Sequence, residues 1–170
     1  MAQPNYTSRE APPFSIRPAV PGDEGVLFEL VKTLARYERL EHQVTGTVEA
    51  LRIHLFGDHP VAEALLAEDG TDAIGFAMFF STFSTFLTRP GIHLEDLFVL
   101  ERHRRRGAGR ALLSEVRRIA EARGAGRVEW NVLDWNASAI AFYLSLGAEV
   151  LPDWRICRMQ LTFGRPPTST

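Results

Sequence analysis

Five of the chain's 19 lysines and arginines fall in one short run, Arg102-His103-Arg104-Arg105-Arg106-Gly107-Ala108-Gly109-Arg110. An alternating apolar segment, Ile92 to Leu100, precedes this run, and a helical pattern opens after it at Ala111-Leu112-Leu113. A strand that ends in a glycine turn and feeds a helix leaves several backbone N–H groups unpaired and aimed one way, ready to receive phosphate oxygens. The arginines supply matching charge. The combination points to a cofactor carrying a pyrophosphate. A solvated basic surface or a contact to nucleic-acid phosphates would use the same arginines, but the Gly-x-Gly step at a helix start favours a compact diphosphate. Upstream, Glu95 and Asp96 interrupt the apolar strand. Neighbouring strand residues point to opposite faces, so at most one of the two carboxylates is expected in a given cleft.

These residues need elements to hold them. Phe14 to Arg17 alternates and stops at Pro18, which predicts a first strand. Asp23 is the expected N-cap of a helix carrying Val26, Leu27, Leu30, Val31 and Leu34, and Thr47 the expected cap of a shorter one ending at Gly57-Asp58-His59-Pro60. Val61 to Ala67 and Ala73 to Phe80 form a predicted hairpin around Glu68-Asp69-Gly70-Thr71-Asp72. A long link, Ser81 to Gly91, then leads into the strand of Glu95. The helix after the glycine turn keeps its spacing to Arg123-Gly124. A strand over Arg127 to Leu133, a capped helix from Asn136 to Leu146 and a closing strand from Trp154 to Phe163 complete the order β α α β β β α β α β β. This is an α/β (α+β) arrangement, a mixed sheet with helices on both faces.

At 170 residues the chain has the size of one domain, expected over residues 14–163 between loose tails at 1–13 and 164–170. A net charge of −2 gives no global attraction to nucleic acid. The N-terminal residues have no apolar run of a signal peptide, and no stretch approaches the roughly 18 apolar residues of a membrane helix. A single cysteine, Cys157, rules out an intrachain disulfide and fits a reducing cytoplasm. It is expected as a small strand hydrophobe. The five histidines show no metal-ligand spacing.

Arg104-Arg105-Arg106-Gly107-Ala108-Gly109 fits the Arg/Gln-x-x-Gly-x-Gly/Ala motif, and in this the chain resembles the GNAT acetyltransferases. More narrowly it is similar to the diamine (spermidine/spermine) N-acetyltransferase branch and its bacterial relatives. Leu34-Ala35-Arg36-Tyr37-Glu38, Gly57-Asp58-His59-Pro60, Ile74-Gly75-Phe76-Ala77-Met78, Leu94-Glu95-Asp96-Leu97-Phe98-Val99, Trp135-Asn136-Ala137-Ser138 and Ala141-Phe142-Tyr143 carry that likeness, in order, over about residues 14 to 163. The resemblance implies a central, mostly antiparallel sheet and acetyl-CoA as co-substrate without a metal. The acetyl group would move directly to a primary amine.

It also implies roles. Main chain of Leu97, Phe98 and Val99 would meet the acetyl carbonyl, and Arg104, Arg105, Arg106, Gly107, Ala108, Gly109 and Arg110 the phosphates. Asn136, Ala137, Ser138, Ala139 and Leu146 would line the pantetheine arm, Asn136 and Ser138 also reading as helix caps. Tyr143 would act as general acid and Glu95 as base through water, set against a packed tyrosine and an arginine-paired carboxylate. Tyr37, Glu38, Glu95, Glu129, Trp130, Asn131, Asp153 and Trp154 match acceptor-side positions, and a homodimer using the late strands is implied. The polyamine enzymes carry acidic residues and a Trp in the loop before the Glu95 strand, whereas Ser81 to Arg89 has no acid and one arginine. That departure points to a small amino-acid-like amine such as thialysine or a lysine analogue, beside a polyamine. An acyl-CoA-binding module without turnover and an enzyme acting on protein amines are the alternatives.

Overall fold

A computed structural model describes residues 13–161. The expected C-terminal tail, and all but Pro13 of the N-terminal one, lie outside them. The chain divides into two compact units, Met1–Asn131 and Val132–Thr170.

The first unit is built on one five-stranded sheet in the order β1-β2-β3-β4-β5. Its strands are β1 (Ser15–Pro18), β2 (Glu63–Asp69), β3 (Asp72–Ser84), β4 (Arg89–Val99) and β5 (Val128–Trp130). The first four pair antiparallel, and β5 joins β4 in parallel. Helix α3 (Ala108–Ala122) packs Ala108, Leu112, Val116 and Ala120 with Leu65, Ile74, Ile92 and Leu94. On the other face α1 (Glu24–Glu38) and α2 (Val48–Phe56) bring Leu27, Leu30, Leu34 and Leu55 to Leu66, Phe76 and Phe98. Burying such apolar side chains on both faces supplies the main driving force for this layering.

The local signals act largely as the residues predict. The Thr47 hydroxyl accepts from the Ala50 N–H at 3.1 Å and caps α2. Asp23 stands at the N-cap of α1, but its carboxylate leaves the helix for Arg17 at 2.6 Å and the Val20 N–H at 2.8 Å. A charge-assisted bond to guanidinium outcompetes a neutral capping bond.

Three expectations are corrected. The link Ser81–Gly91 is mostly ladder: Ser81↔Ile92, Phe83↔Pro90 and Ser84↔Arg89 pair, leaving only Thr85-Phe86-Leu87-Thr88 as the turn. The strand after α3 is short, Val128–Trp130 rather than Arg127 to Leu133. The closing strand is absent among the described residues, because 155–161 are exposed and pair with no strand. A strand gains its stability from a neighbour's ladder and a buried face, and this segment has neither. Cys157 is exposed on it, not packed in a sheet. Thr162 and Phe163 lie outside the described residues.

Candidate active site

The sheet positions the site by an irregularity in β4. Leu94 pairs with Phe79 and Asp96 with Met78, so Glu95 is an extra residue, a β-bulge. Before it Ile92 and Leu94 face α3; after it Leu97 and Val99 face α3 while Phe98 turns to α1 and α2. Hydrogen-bond directions change with the side chains. The Ile92 N–H donates across to Arg127 at 3.1 Å, and the parallel ladder ends at Leu94↔Trp130. Beyond the bulge, Leu100 donates to Ile74 on β3 at 2.9 Å. Counting back by twos, the N–H groups of Leu97 and Val99 point to the opposite edge, past the end of β5. Gly75 lets β3 run close beneath: a Cβ there would lie 2.5 Å from the Phe98 carbonyl oxygen. The result is a pair of outward main-chain donors on a firmly held strand, the kind of group that stabilises a carbonyl oxygen gathering negative charge.

Carboxylates collect at the same place. Glu95 is exposed, with an oxygen 3.7 Å from Nε2 of His93, whose ring lies 5.1 Å from Phe80. Asp96, partly buried, has its carboxyl pushed up to about 7, first by loss of water and then by the charges of Glu95 and Glu38. Burial also raises Glu38, at the end of α1. Among the described residues no hydrogen bond or ion pair meets the Asp96 carboxylate. Strict alternation would place Asp96 on the face opposite Glu95. Across a bulge that rule fails. A carboxyl with this value is a proton acceptor matched to neutral pH.

The basic turn follows a short 3-10 turn, Glu101–His103. Arg104 turns inward: its guanidinium lies 4.4 Å from the Tyr37 ring and 5.7 Å from the Phe98 ring, and Nε donates to the Val99 carbonyl at 3.0 Å. Arg106 pairs with Asp69 at 3.0 Å and stands 3.0 Å from Nδ1 of His103. Arg105, at φ 61°, and Arg110 are exposed. Gly107, at φ 94°, leads into α3, and no side chain caps it. The first-turn N–H groups of Ala108, Gly109 and Arg110 are therefore offered outward with the positive end of the helix dipole. The carbonyl of Gly107 already accepts from Ala111 at 3.0 Å. This cradle suits a diphosphate.

Tyr37 completes the α1 side, its ring 6.5 Å from Phe98. Glu129 lies opposite His93 in the ladder and bonds Arg127 at 2.7 Å; Trp130, half-buried, is opposite Leu94, and Asn131 follows exposed. Tyr37, Glu38, Glu95 and Asp96 thus share the face and end of β4 that the resemblance assigns to the acceptor.

In the second unit, helix α4 (Ala137–Leu144) is capped by Asn136, whose Oδ1 accepts from the Ala139 N–H at 3.2 Å and from the Ser138 hydroxyl at 3.1 Å. Tyr143 is half-buried in the last turn, its ring 5.2 Å from Phe142 and its carbonyl accepting from Leu146 and Ala148. Asp153 and Trp154 are exposed outside any helix or strand.

A model of the acetyltransferase (GNAT) family matches residues 28–148. The chain belongs to this family. It is 31% identical to an L-ornithine N5-acetyltransferase of Arabidopsis thaliana, over 85% of this chain and 83% of that one. It is 34% identical to a thialysine N-epsilon-acetyltransferase of Bos taurus, over 85% and 91%. Among solved structures, an integron cassette protein from the mobile metagenome of V. cholerae superposes with a TM-score of 0.70 at 22% identity, over 86% and 92%, and shares the fold. The chain is accordingly a GNAT N-acetyltransferase, and the family's co-substrate is acetyl-CoA. The uncapped α3 start with its positive-φ glycine fits the pyrophosphate, and the N–H groups of Leu97 and Val99 that face away from β3 fit the acetyl carbonyl. Among the described residues no group of His, Cys, Asp and Glu is placed to hold a metal ion, and no helix is long and apolar enough to cross a membrane.

Proposed function

We propose that the enzyme transfers acetyl directly to a primary amine on a small amino-acid-like molecule of the ornithine or thialysine kind. One observation carries this reading: Glu38, Glu95 and Asp96 gather at the β4 bulge, with Asp96 meeting no cation among the described residues. An ammonium group supplies the missing charge. The relatives named for ornithine and thialysine support the amino-acid-like acceptor. So does the hairpin arm at Ser81 to Arg89, which has no acid to meet a second, distant ammonium.

Acetyl-CoA, when bound, brings an acetyl thioester already activated for attack. The carboxylates hold the incoming ammonium and take the two protons its nitrogen gives up, one through water to Glu95 before attack and one to Asp96 once the nitrogen–carbon bond forms, because an amine near pKa 10.4 is protonated at neutral pH. Leu97 and Val99 N–H groups hold the acetyl oxygen. Tyr143 returns a proton to the departing sulfur, so the nitrogen–carbon bond forms as the carbon–sulfur bond breaks, without an acyl-enzyme. A homodimer joined through the exposed apolar segment around Trp154, Ile156, Met159 and Leu161, and a cytoplasmic site for an enzyme with one cysteine, belong to the same proposal.

Acetyl-CoA consumption across ornithine, lysine, thialysine, spermidine and a peptide amine tests it. The α,ω-diamino acids should have the highest kcat/KM, and a clear preference for spermidine or peptide rejects the acceptor class. Tyr143→Phe should lower kcat by roughly 10²-fold with little change in acetyl-CoA affinity. Equal losses in both would reject the acid role.

A further inference from the structure

The phosphate turn and the acceptor wall are held together by one side chain. Arg104 is the first arginine of the Arg-x-x-Gly-x-Gly run, where sequence alone gives it a phosphate. Its side chain goes the other way. The guanidinium stacks 4.4 Å from the ring of Tyr37 on α1 and 5.7 Å from that of Phe98 on β4, and Nε donates to the Val99 carbonyl at 3.0 Å. Val99 is the last residue of β4, and its carbonyl points to the same open edge as its N–H, so Arg104 fixes the strand where the oxygen-binding donors end. A delocalised cation held over two aromatic rings together with a directed Nε–H bond is a combination that guanidinium supplies. An ammonium keeps the charge and loses the plane and the second donor.

We propose that Arg104 is a positioning residue, not a phosphate ligand. It clamps the basic turn to the Tyr37–Phe98 wall and so keeps the acceptor pocket and the Leu97 and Val99 donors in register. The inference rests on the amine-acetylating reading for the identity of that wall. Three roles follow for the turn's arginines: Arg104 holds the acceptor side, Arg106 ties to Asp69, and Arg105 and Arg110 stay open to the phosphates.

The test compares Arg104→Met, Arg104→Lys, Tyr37→Leu and the double variant Arg104→Met/Tyr37→Leu. Acetyl-CoA affinity is measured by calorimetry without acceptor, and kcat and acceptor KM by turnover of the best amine. A clamp predicts that Arg104→Met shifts acetyl-CoA Kd less than threefold, while acceptor KM rises about tenfold and kcat falls about tenfold. Arg104→Lys should not restore either, and Tyr37→Leu should absorb most of the cost of Arg104→Met in the double variant. A tenfold loss of acetyl-CoA affinity in Arg104→Met that Lys rescues overturns the proposal, as do multiplicative effects in the double variant. If Arg104→Met does not fold, Arg104→Lys paired with Tyr37→Leu gives the same cycle. If the wild-type enzyme acetylates no amine, the functional reading fails on its own. Calorimetry then still decides for Arg104: unchanged affinity upholds the clamp, a tenfold loss rejects it.

Discussion

The acidic end of β4 and the basic turn just after it handle charge in opposite ways. In the turn, Arg104 lies on two aromatic rings and a carbonyl, and Arg106 lies on Asp69. At the bulge, Asp96 is partly buried beside Glu95 and Glu38 and meets no cation among the described residues. Elsewhere in the first unit carboxylates are routinely satisfied: Asp23 and Glu68 by Arg17, Glu63 by Arg123, Glu115 by Arg118. Among the described residues the chain has arginines to spare and spends none on Asp96. Charge matched inside the protein builds the scaffold; under the proposed function, charge left unmatched is where the substrate brings its own.

Asp96→Asn is the strongest way to break that contrast. It keeps the shape and removes the charge, so kcat/KM for the amine should fall by about 10²-fold or more, with acetyl-CoA affinity unchanged. The rising limb of the wild-type pH–rate profile near pH 7 should disappear with it. Stability should move the other way. The Asp96 carboxyl titrates at about 7 in the folded protein against an ordinary 3.8. Between those values the folded state holds a proton that the unfolded chain has released, so stability drains away as pH rises from about 4 to about 7 and is flat above. Asn does not titrate, so the variant should gain about 2–4 kcal/mol over wild type at pH 8 and almost nothing at pH 4. Denaturant unfolding at the two pH values measures it. A variant less stable than wild type at pH 8 would mean that the carboxylate has a favourable partner in the folded protein.

A smaller effect is expected on the basic side from the two exposed arginines. Arg105→Ala combined with Arg110→Ala should raise the acetyl-CoA KM by about tenfold and leave kcat within about twofold, because the phosphates are remote from the reacting carbon. The loss should shrink as salt screens the remaining attraction. If KM does not move, the first-turn N–H groups of α3 hold the phosphates unaided.

Much of this was legible in the residues. Apolar period placed the core strands and helices, and Gly107 between a strand and a helix announced the turn into α3, which has a φ of 94° at that glycine and no side-chain cap. What the sequence conceals is pairing. Ile92 to Val99 alternates smoothly enough to pass as a regular strand, and only the register against β3 shows that Glu95 is supernumerary and that Asp96 belongs with it. Ser81 to Ser84, rich in Ser, Thr and Phe, resembles a loop until β4 supplies its ladder. Trp154 to Leu161 resembles a strand yet finds no ladder among the described residues. Strand formation is decided by the neighbour, which lies far away in the chain. The contact of Arg104 is hidden for a related reason: its partner Tyr37 is on another element, and no local pattern signals the pairing.

The smallest effect tests whether a matched arginine is really scaffold. Arg106 joins the turn to Asp69 between β2 and β3 at 3.0 Å, with His103 also beside it, and both partners of the pair keep more than a third of their side-chain surface in water. Ion pairs of that exposure contribute about 0–1 kcal/mol, so Arg106→Ala should lower the unfolding free energy by less than about 1 kcal/mol, and by less still in high salt. Its acetyl-CoA KM should stay within about twofold of wild type. That second measurement is the sharper one. Arg105 and Arg106 are adjacent and carry the same charge, so a loss of affinity in Arg106→Ala equal to that of the Arg105/Arg110 pair would show that an ion pair to Asp69 does not withdraw an arginine from phosphate binding, and the distinction between matched and unmatched charge would fail at the turn while still standing at Asp96.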